Sequence, residues 1–292
     1  MDALGDLLRG VRADGALFGR TVLTGPWEES RSEGAALTLV SVVRGTARIT
    51  AASGEPRTLG EGAAAVVCTP APFTLSAPGA GVAPEECELV TGAYQLDSAV
   101  GRRLVSMLPP LLVVPSGDDC TPILELIAAE VAADRPGRQF VMDRMLDWLL
   151  ACTLREWFDL PDACPPAWYS ALGDEVIGPA LHAMHDEPSR PWTVASLAAR
   201  AQVSRAAFAR NFAEQVGRPP MAYLTEWRMT LAAELLAEPG ATVASVAGKV
   251  GYADGFGFSD AFKRIRGIAP SGYRASLTAR RPDSGSPLRA VG

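Results

Sequence analysis

The sequence predicts an α+β chain of two domains: a β-barrel with a helical segment behind it, and then an all-α domain. Three observations predict it. From Gly15 to about Asp97, short apolar runs rich in Val, Leu, Thr and Ala are cut by Gly and Pro, the pattern of many short strands with closely spaced turns. From Thr121 the apolar residues recur at helical spacing instead. Near the C-terminus one helical pattern is written twice, which predicts a duplicated unit.

Charge divides the chain in the same way. Residues 1–175 carry 13 Lys and Arg against 24 Asp and Glu, a net of −11, and residues 176–292 carry 14 against 9, a net of +5. The overall −6 therefore hides a basic C-terminal part suited to a polyanion, joined to an acidic part that stays off phosphates. No run of 18 apolar residues exists, and Met1–Asp6 lacks the basic start and apolar stretch of a signal peptide, so a cytoplasmic chain without membrane contact is expected. The five cysteines (Cys68, Cys87, Cys120, Cys152, Cys164) are scattered and show no CxxC spacing, which suggests neither a disulfide framework nor a zinc site.

In chain order, Leu4, Leu7, Leu8 and Val11 form a short amphipathic stretch. Leu37–Val43 turns through Arg44-Gly45 into Thr46–Thr50; Arg57-Thr58-Leu59-Gly60-Glu61-Gly62 opens Ala63–Cys68; Pro70 and Pro72 interrupt, and Phe73-Thr74-Leu75 resumes. This order of strand, Arg-Gly turn, strand, Leu-Gly-Glu-Gly turn, strand and Pro-x-Pro resembles the cupin barrel. Metal-binding cupins hold a metal with histidines and a carboxylate, one histidine just after the Pro-rich turn. Phe73 stands there, and residues 1–181 contain no histidine, so the resemblance points to a non-catalytic barrel without metal or cofactor.

Residues 98–118 read as a connector, which sets the barrel domain at 1–118. Residues 119–160 read as a helical pair. Ile123, Leu126, Ile127 and Val131 line the first helix, and a second, from about Arg138 to Phe158, carries Val141, Met142, Met145, Leu146 and Leu149 in a stripe wider than a surface helix needs. These five are the candidate dimerisation residues of a homodimer; the competing expectation is that the stripe docks on its own barrel. Pro161, Pro165 and Pro166 mark a linker over 161–173.

The duplicated pattern occupies 174–276, after a lead-in helix from Asp174 to His185. Thr193-Val194-Ala195-Ser196-Leu197-Ala198 returns as Thr242-Val243-Ala244-Ser245-Val246-Ala247, 49 positions on with one difference. Phe208, Phe212, Gly217, Pro220 and Tyr223 return 50 positions on as Phe258, Phe262, Gly267, Pro270 and Tyr273. Thr193 and Thr242 are expected N-caps of first helices, and Ser204 and Asp254 of second helices that Gly217 and Gly267 close. Each copy is thus a helix-turn-helix, whose second helix can enter the major groove.

Ser204–Phe212, Gly217–Leu224, and Gly251-Tyr252 through Phe262-Lys263-Arg264, Gly267, Pro270 and Tyr273-Arg274 resemble the AraC/XylS family of transcription regulators. The resemblance implies two helix-turn-helix units joined by a long helix, about Met221–Leu236, that sets two recognition helices into successive major-groove segments. Duplex promoter or operator DNA is then the expected partner. RNA polymerase and a small-molecule effector are further partners such a regulator can take, and the family often dimerises through the helices behind its barrel.

With Phe208 and Phe212 facing the core, Arg205, Ala206, Ala209 and Arg210 turn toward the groove. Arg210 is the first choice for a base contact, because a guanidinium can donate twice to guanine O6 and N7. The candidate DNA-binding set is Thr193, Ser204, Arg205, Ala206, Ala209 and Arg210 in the first unit, and Thr242, Gly255, Phe256, Ser259, Asp260, Lys263 and Arg264 in the second. Where the first copy has Arg210 the second has Asp260, a carboxylate repelled by phosphates. The second helix is therefore expected to act mainly through Lys263, Arg264 and Arg266 on the backbone. His182 and His185 read as surface histidines, and residues 277–292 as a disordered tail. Two other readings stay open: a redox-responsive regulator using cysteine thiols, and a metal-dependent cupin enzyme with a DNA-binding tail.

Overall fold

The computed structural model describes residues 3–280 apart from 9–10, 32–33, 52–53, 79–85, 97, 118–120, 134 and 164. The chain divides into two compact units, one of Leu4–Tyr169 and one formed mainly by the residues from Ser170 on.

In the first unit, helix α1 (Ala3–Leu8) precedes nine strands among the described residues: β1 (Arg12–Leu23), β2 (Glu28–Arg31), β3 (Leu37–Arg44), β4 (Ala47–Ala51), β5 (Arg57–Leu59), β6 (Ala64–Val67), β7 (Phe73–Ser76), β8 (Cys87–Gln95) and, after helix α2 (Ala99–Val105), β9 (Leu111–Val114). They form a five-stranded sheet in the order β1-β8-β3-β6-β9 and a four-stranded sheet in the order β2-β7-β4-β5, all pairings antiparallel. The expected barrel is thus two sheets rather than one closed cylinder. The stretch expected as a connector supplies α2 and the edge strand β9, which pairs with β6 and alternates, with Leu111 and Val113 packed on the core cluster and Leu112 and Val114 buried on the other face.

Val40, Val42, Ile49, Leu59, Val67, Phe73, Leu75 and Leu89 are buried together in one core cluster with contributions from both sheets. Phe73, at the position where metal-binding cupins place a histidine, belongs to that core. Burial also settles the chemistry of the described thiols. It pushes Cys68, at the end of β6, up to about 12, and raises Cys87; the flanking carboxylates Glu86 and Glu88 are not needed for that shift. Cys152 is buried, while Cys120 and Cys164 lie outside the described residues. Cys68 should therefore present about a thousandfold less thiolate at neutral pH than an ordinary cysteine. Mass-spectrometric thiol labelling of the native protein should leave Cys68 and Cys87 unmodified while denaturant makes both reactive; rapid native labelling of either would contradict the burial argument.

Helices α3 (Thr121–Ala133) and α4 (Arg138–Asp159) pack together, and α4 lies against β1 and β9. The Leu146 side chain approaches Gly92 of β8 so closely that a Cβ there would meet it at 2.9 Å, and the Tyr94 hydroxyl donates to the Leu146 carbonyl at 2.6 Å. Met142, Leu146 and Leu149, expected at a dimer interface, are thereby buried inside their own unit. The stretch expected as a plain linker carries a short helix, α5 (Ala167–Ser170), and a 3₁₀ turn (Ala171–Gly173); Trp168 is buried, and its indole N–H meets Met107 Sδ at 3.2 Å.

The second unit is all helical: α6 (Gly178–Asp186), α7 (Val194–Arg200), α8 (Arg205–Val216), α9 (Pro220–Ala237), α10 (Val243–Lys249), α11 (Gly255–Arg266) and α12 (Pro270–Arg280). Helix α9 contacts α8, α10, α11 and α12. Helix α12 runs past the expected end at 276 to Arg280, and the rest of the expected tail lies outside the described residues. The lead-in helix starts at Gly178 rather than at Asp174, whose carboxylate accepts from the Val176 and Ile177 amides at 2.8 Å each and from Gln215 Nε2 at 2.9 Å. Those bonds hold the Asp174 carboxyl below the usual range.

Candidate nucleic-acid interface

Each helix-turn-helix begins with a capped first helix. Thr193 Oγ1 accepts from the Ser196 amide at 3.0 Å while Ser196 Oγ accepts from the Thr193 amide at 2.9 Å, a reciprocal box that satisfies two orphan donors of α7. Thr242 Oγ1 does half of this in the second copy, accepting from the Ser245 amide at 3.1 Å. Ser204 caps α8 through the Ala207 amide at 3.2 Å, and Asp254 caps α11 through the amides of Phe256 and Gly257 at 2.8 Å each. The sequence-predicted Thr193, Ser204 and Thr242 are thus exposed but already engaged in shaping the helix starts.

The duplication is equally clear in the aromatic packing. Phe208 and Phe212 lie 5.7 Å apart at 50°, and Phe212 meets Tyr223 at 5.9 Å and 69°. Phe258 and Phe262 lie 5.7 Å apart at 48°, and Phe262 meets Tyr273 at 5.5 Å and 68°. All four phenylalanines are fully buried, so each set fixes one face of its recognition helix inward and thereby orients the opposite face.

On α8 that opposite face leaves Arg205, Ala206 and Arg210 exposed and Ala209 half-buried. On α11 it leaves Phe256, Asp260, Lys263 and Arg264 exposed and Gly255 and Ser259 half-buried; the Ser259 hydroxyl is occupied, donating to the Gly255 carbonyl at 2.6 Å. Ala206 corresponds to Phe256 and Arg210 to Asp260 at the offset of 50, so the two outward stripes carry opposite chemistry: a small side chain with a cation, and a large ring with an anion. Arg266 is not on that stripe. It is half-buried, and its guanidinium donates to the Met229 carbonyl at 3.4 Å.

The second turn is one residue longer than the first, as the change of offset from 49 to 50 requires. In the first, Gln202 adopts a left-handed φ of 56°; in the second, Gly251 does so at 81° and backs directly onto the Ser189 carbonyl. Arg228 of α9 secures the same loop, donating to the carbonyls of Pro188 and Arg190 at 2.7 Å each. His185, expected at the surface, is buried: its Nε2 lies 2.8 Å from the Tyr223 hydroxyl and its ring stacks on Trp227 at 4.3 Å. A three-residue spacing on one helix cannot distinguish a surface histidine from one turned into an aromatic core.

Comparison with known proteins gives the same division. The cupin family matches residues 2–159 and a helix-turn-helix domain family matches residues 197–276. An AraC-like transcription regulator of Streptomyces lividans is 32% identical over 95% of this chain and 99% of its own, and one of Streptomyces antibioticus is 30% identical over 94% and 98%. The RCS-specific transcriptional activator RclR of Escherichia coli is 26% identical over 97% of this chain and 100% of its own. Two aromatic-locked recognition helices, the cupin-type first unit and full-length likeness to such regulators lead to one conclusion: this chain belongs to the AraC/XylS family of DNA-binding transcription regulators with an N-terminal cupin domain.

Proposed function

We propose that α8 and α11 enter successive major-groove segments on one face of an operator duplex, with Arg210 reading a base and Lys263 and Arg264 holding phosphates. The repeated aromatic geometry, which turns both outward stripes to solvent, carries this reading. A footprint of the purified protein on DNA upstream of its own gene should show contacts repeating at about one helical turn. Affinity should fall steeply between about 50 and about 200 mM salt. Protection without that phase, or affinity indifferent to salt, would refute the arrangement.

The cupin unit, on this reading, is a regulatory platform rather than a catalyst, working in the cytoplasm; no helix among the described residues is long and apolar enough to cross a membrane. The poorly ionised Cys68 and Cys87 argue against a thiol switch at those positions. Its role is to join two copies through the exposed edge of α4, which shares Val141 with the stripe read from the sequence. Phe140 (72% exposed), Val141, Arg144 and Trp148 (52%) line the outward side of α4, with the Arg144 guanidinium 5.9 Å from the Phe140 ring centre. Such a contiguous apolar stripe is typical of an interaction site. Sedimentation should show a dimer that Phe140→Glu with Trp148→Glu converts to monomer without lowering the thermal midpoint; an unchanged mass would remove this face from the assembly. A small effector is a second role, supported by a cleft of about 340 Å³ where Val114–Gly117 meets Glu156, Asp159 and Leu160 at the C-terminal end of α4.

A further inference from the structure

The second recognition helix presents a side chain that its own fold does not use. Phe256 is 90% exposed, more than any other large apolar residue among the described ones, although the chain buries Phe258 and Phe262 completely. It stands in the first turn of α11, two residues before Phe258 and four before Asp260, and so projects opposite the buried face. Its backbone is held in place: the Asp254 carboxylate accepts from the amides of both Phe256 and Gly257 at 2.8 Å.

The residues beside it point the same way. A Cβ on Gly255 would meet nothing within 4 Å, and one on Gly257 would come no nearer than 3.7 Å to the Asp254 carboxylate. The packing of this unit therefore does not require glycine at either position, although each costs about 1 kcal/mol of helix propensity relative to alanine. What the two glycines do achieve is clearance on both sides of the exposed ring, where another molecule can approach the helix closely. The chemistry of the rest of the stripe narrows the choice of that molecule. Asp260 can only accept hydrogen bonds, and the Ser259 hydroxyl is engaged with the Gly255 carbonyl. Up to Lys263, no free side-chain donor on this stripe can address guanine O6 or N7 or adenine N7. Cytosine N4 and adenine N6 are left to the Asp260 carboxylate, and the one base-edge feature of the major groove that an apolar ring can address is the C5-methyl group of thymine.

We propose that Phe256 reads a thymine C5-methyl in the groove segment under α11, making this helix an apolar reader beside the guanidinium reader on α8. The inference rests on α11 entering the major groove as described above. It adds a base contact to the expectation that the second helix acts mainly on the backbone.

The test starts with selection of preferred duplexes from a random pool by the wild-type protein. Each thymine of the selected site is then replaced in turn by deoxyuridine, which deletes the methyl and leaves every hydrogen-bonding group in place. At one thymine in the α11 segment, wild type should lose about four-fold in affinity, the weight of one buried methyl-sized group. Phe256→Ala should lose a similar factor on the unmodified site and nothing further on the deoxyuridine site. Because the ring is exposed, the thermal midpoint of the variant should match wild type. If no sequence is enriched, groove reading by either helix fails, and the proposal with it. If a site is enriched but deoxyuridine changes nothing, or costs Phe256→Ala as much as wild type, the thymine contact alone is refuted. Unchanged DNA affinity of Phe256→Ala accompanied by lost transcription would likewise overturn it and assign the ring to a protein partner.

Discussion

Gly251→Ala should destabilise the DNA-binding unit by about 2–5 kcal/mol, enough to separate its unfolding transition from that of the cupin unit in calorimetry. Two costs combine. Gly251 has φ +81°, where a Cβ strains the backbone by about 1–2 kcal/mol, and the added carbon would lie 2.4 Å from the Ser189 carbonyl oxygen. That oxygen belongs to a loop whose neighbouring carbonyls, Pro188 and Arg190, are both bound by Arg228, so the obstruction cannot simply swing away. The overlap must be relieved by shifting backbone against α9, which costs about 1–3 kcal/mol in packed protein. Gly255→Ala is the matched control. With nothing within 4 Å of its Cβ and no left-handed φ, it should be neutral or stabilising by up to about 1 kcal/mol. Equal losses in the two variants would mean that the turn does not depend on this close approach.

The contrast between those glycines shows what a sequence can and cannot convey. The recurrence of Phe208, Phe212 and Tyr223 as Phe258, Phe262 and Tyr273 was legible because a buried aromatic face repeats with helical period, and the structure places both sets almost identically. The caps Thr193, Ser204, Thr242 and Asp254 were legible because their bonds run to amides two or three residues ahead. Long-range partners left no such trace. Nothing near Gly251 in sequence announces Ser189; nothing near Arg266 announces the Met229 carbonyl; nothing near Leu146 announces Gly92 and Tyr94. The apolar stripe on α4 is wider than a surface helix needs, but periodicity alone does not say which edge meets its own sheet. The buried edge is Met142, Leu146 and Leu149, and the exposed one is Phe140, Val141 and Trp148.

Arg210→Ala should weaken binding to the preferred site by about 5- to 150-fold, the equivalent of about 1–3 kcal/mol for a bidentate guanine contact. The side chain is exposed on α8, opposite the Phe208 and Phe212 packing, so its removal leaves the helix intact. Two roles for the guanidinium make separable predictions. As a base reader, its loss should be confined to the preferred sequence, should disappear when the contacted guanine is replaced, and should leave the salt dependence unchanged. As a phosphate ligand, it should weaken all sequences alike and lower the salt slope by about one. Asp260→Ala, at the corresponding position of α11, should act in the opposite direction: deleting an exposed carboxylate beside the duplex removes repulsion, so affinity should hold or rise, most visibly at low salt. A large loss in Asp260→Ala would instead mean that the carboxylate accepts from a cytosine amino group and that both helices read by hydrogen bonding. Opposite signs for the two variants would show that a duplicated scaffold, held by the same aromatic packing twice, presents two different chemistries to the groove.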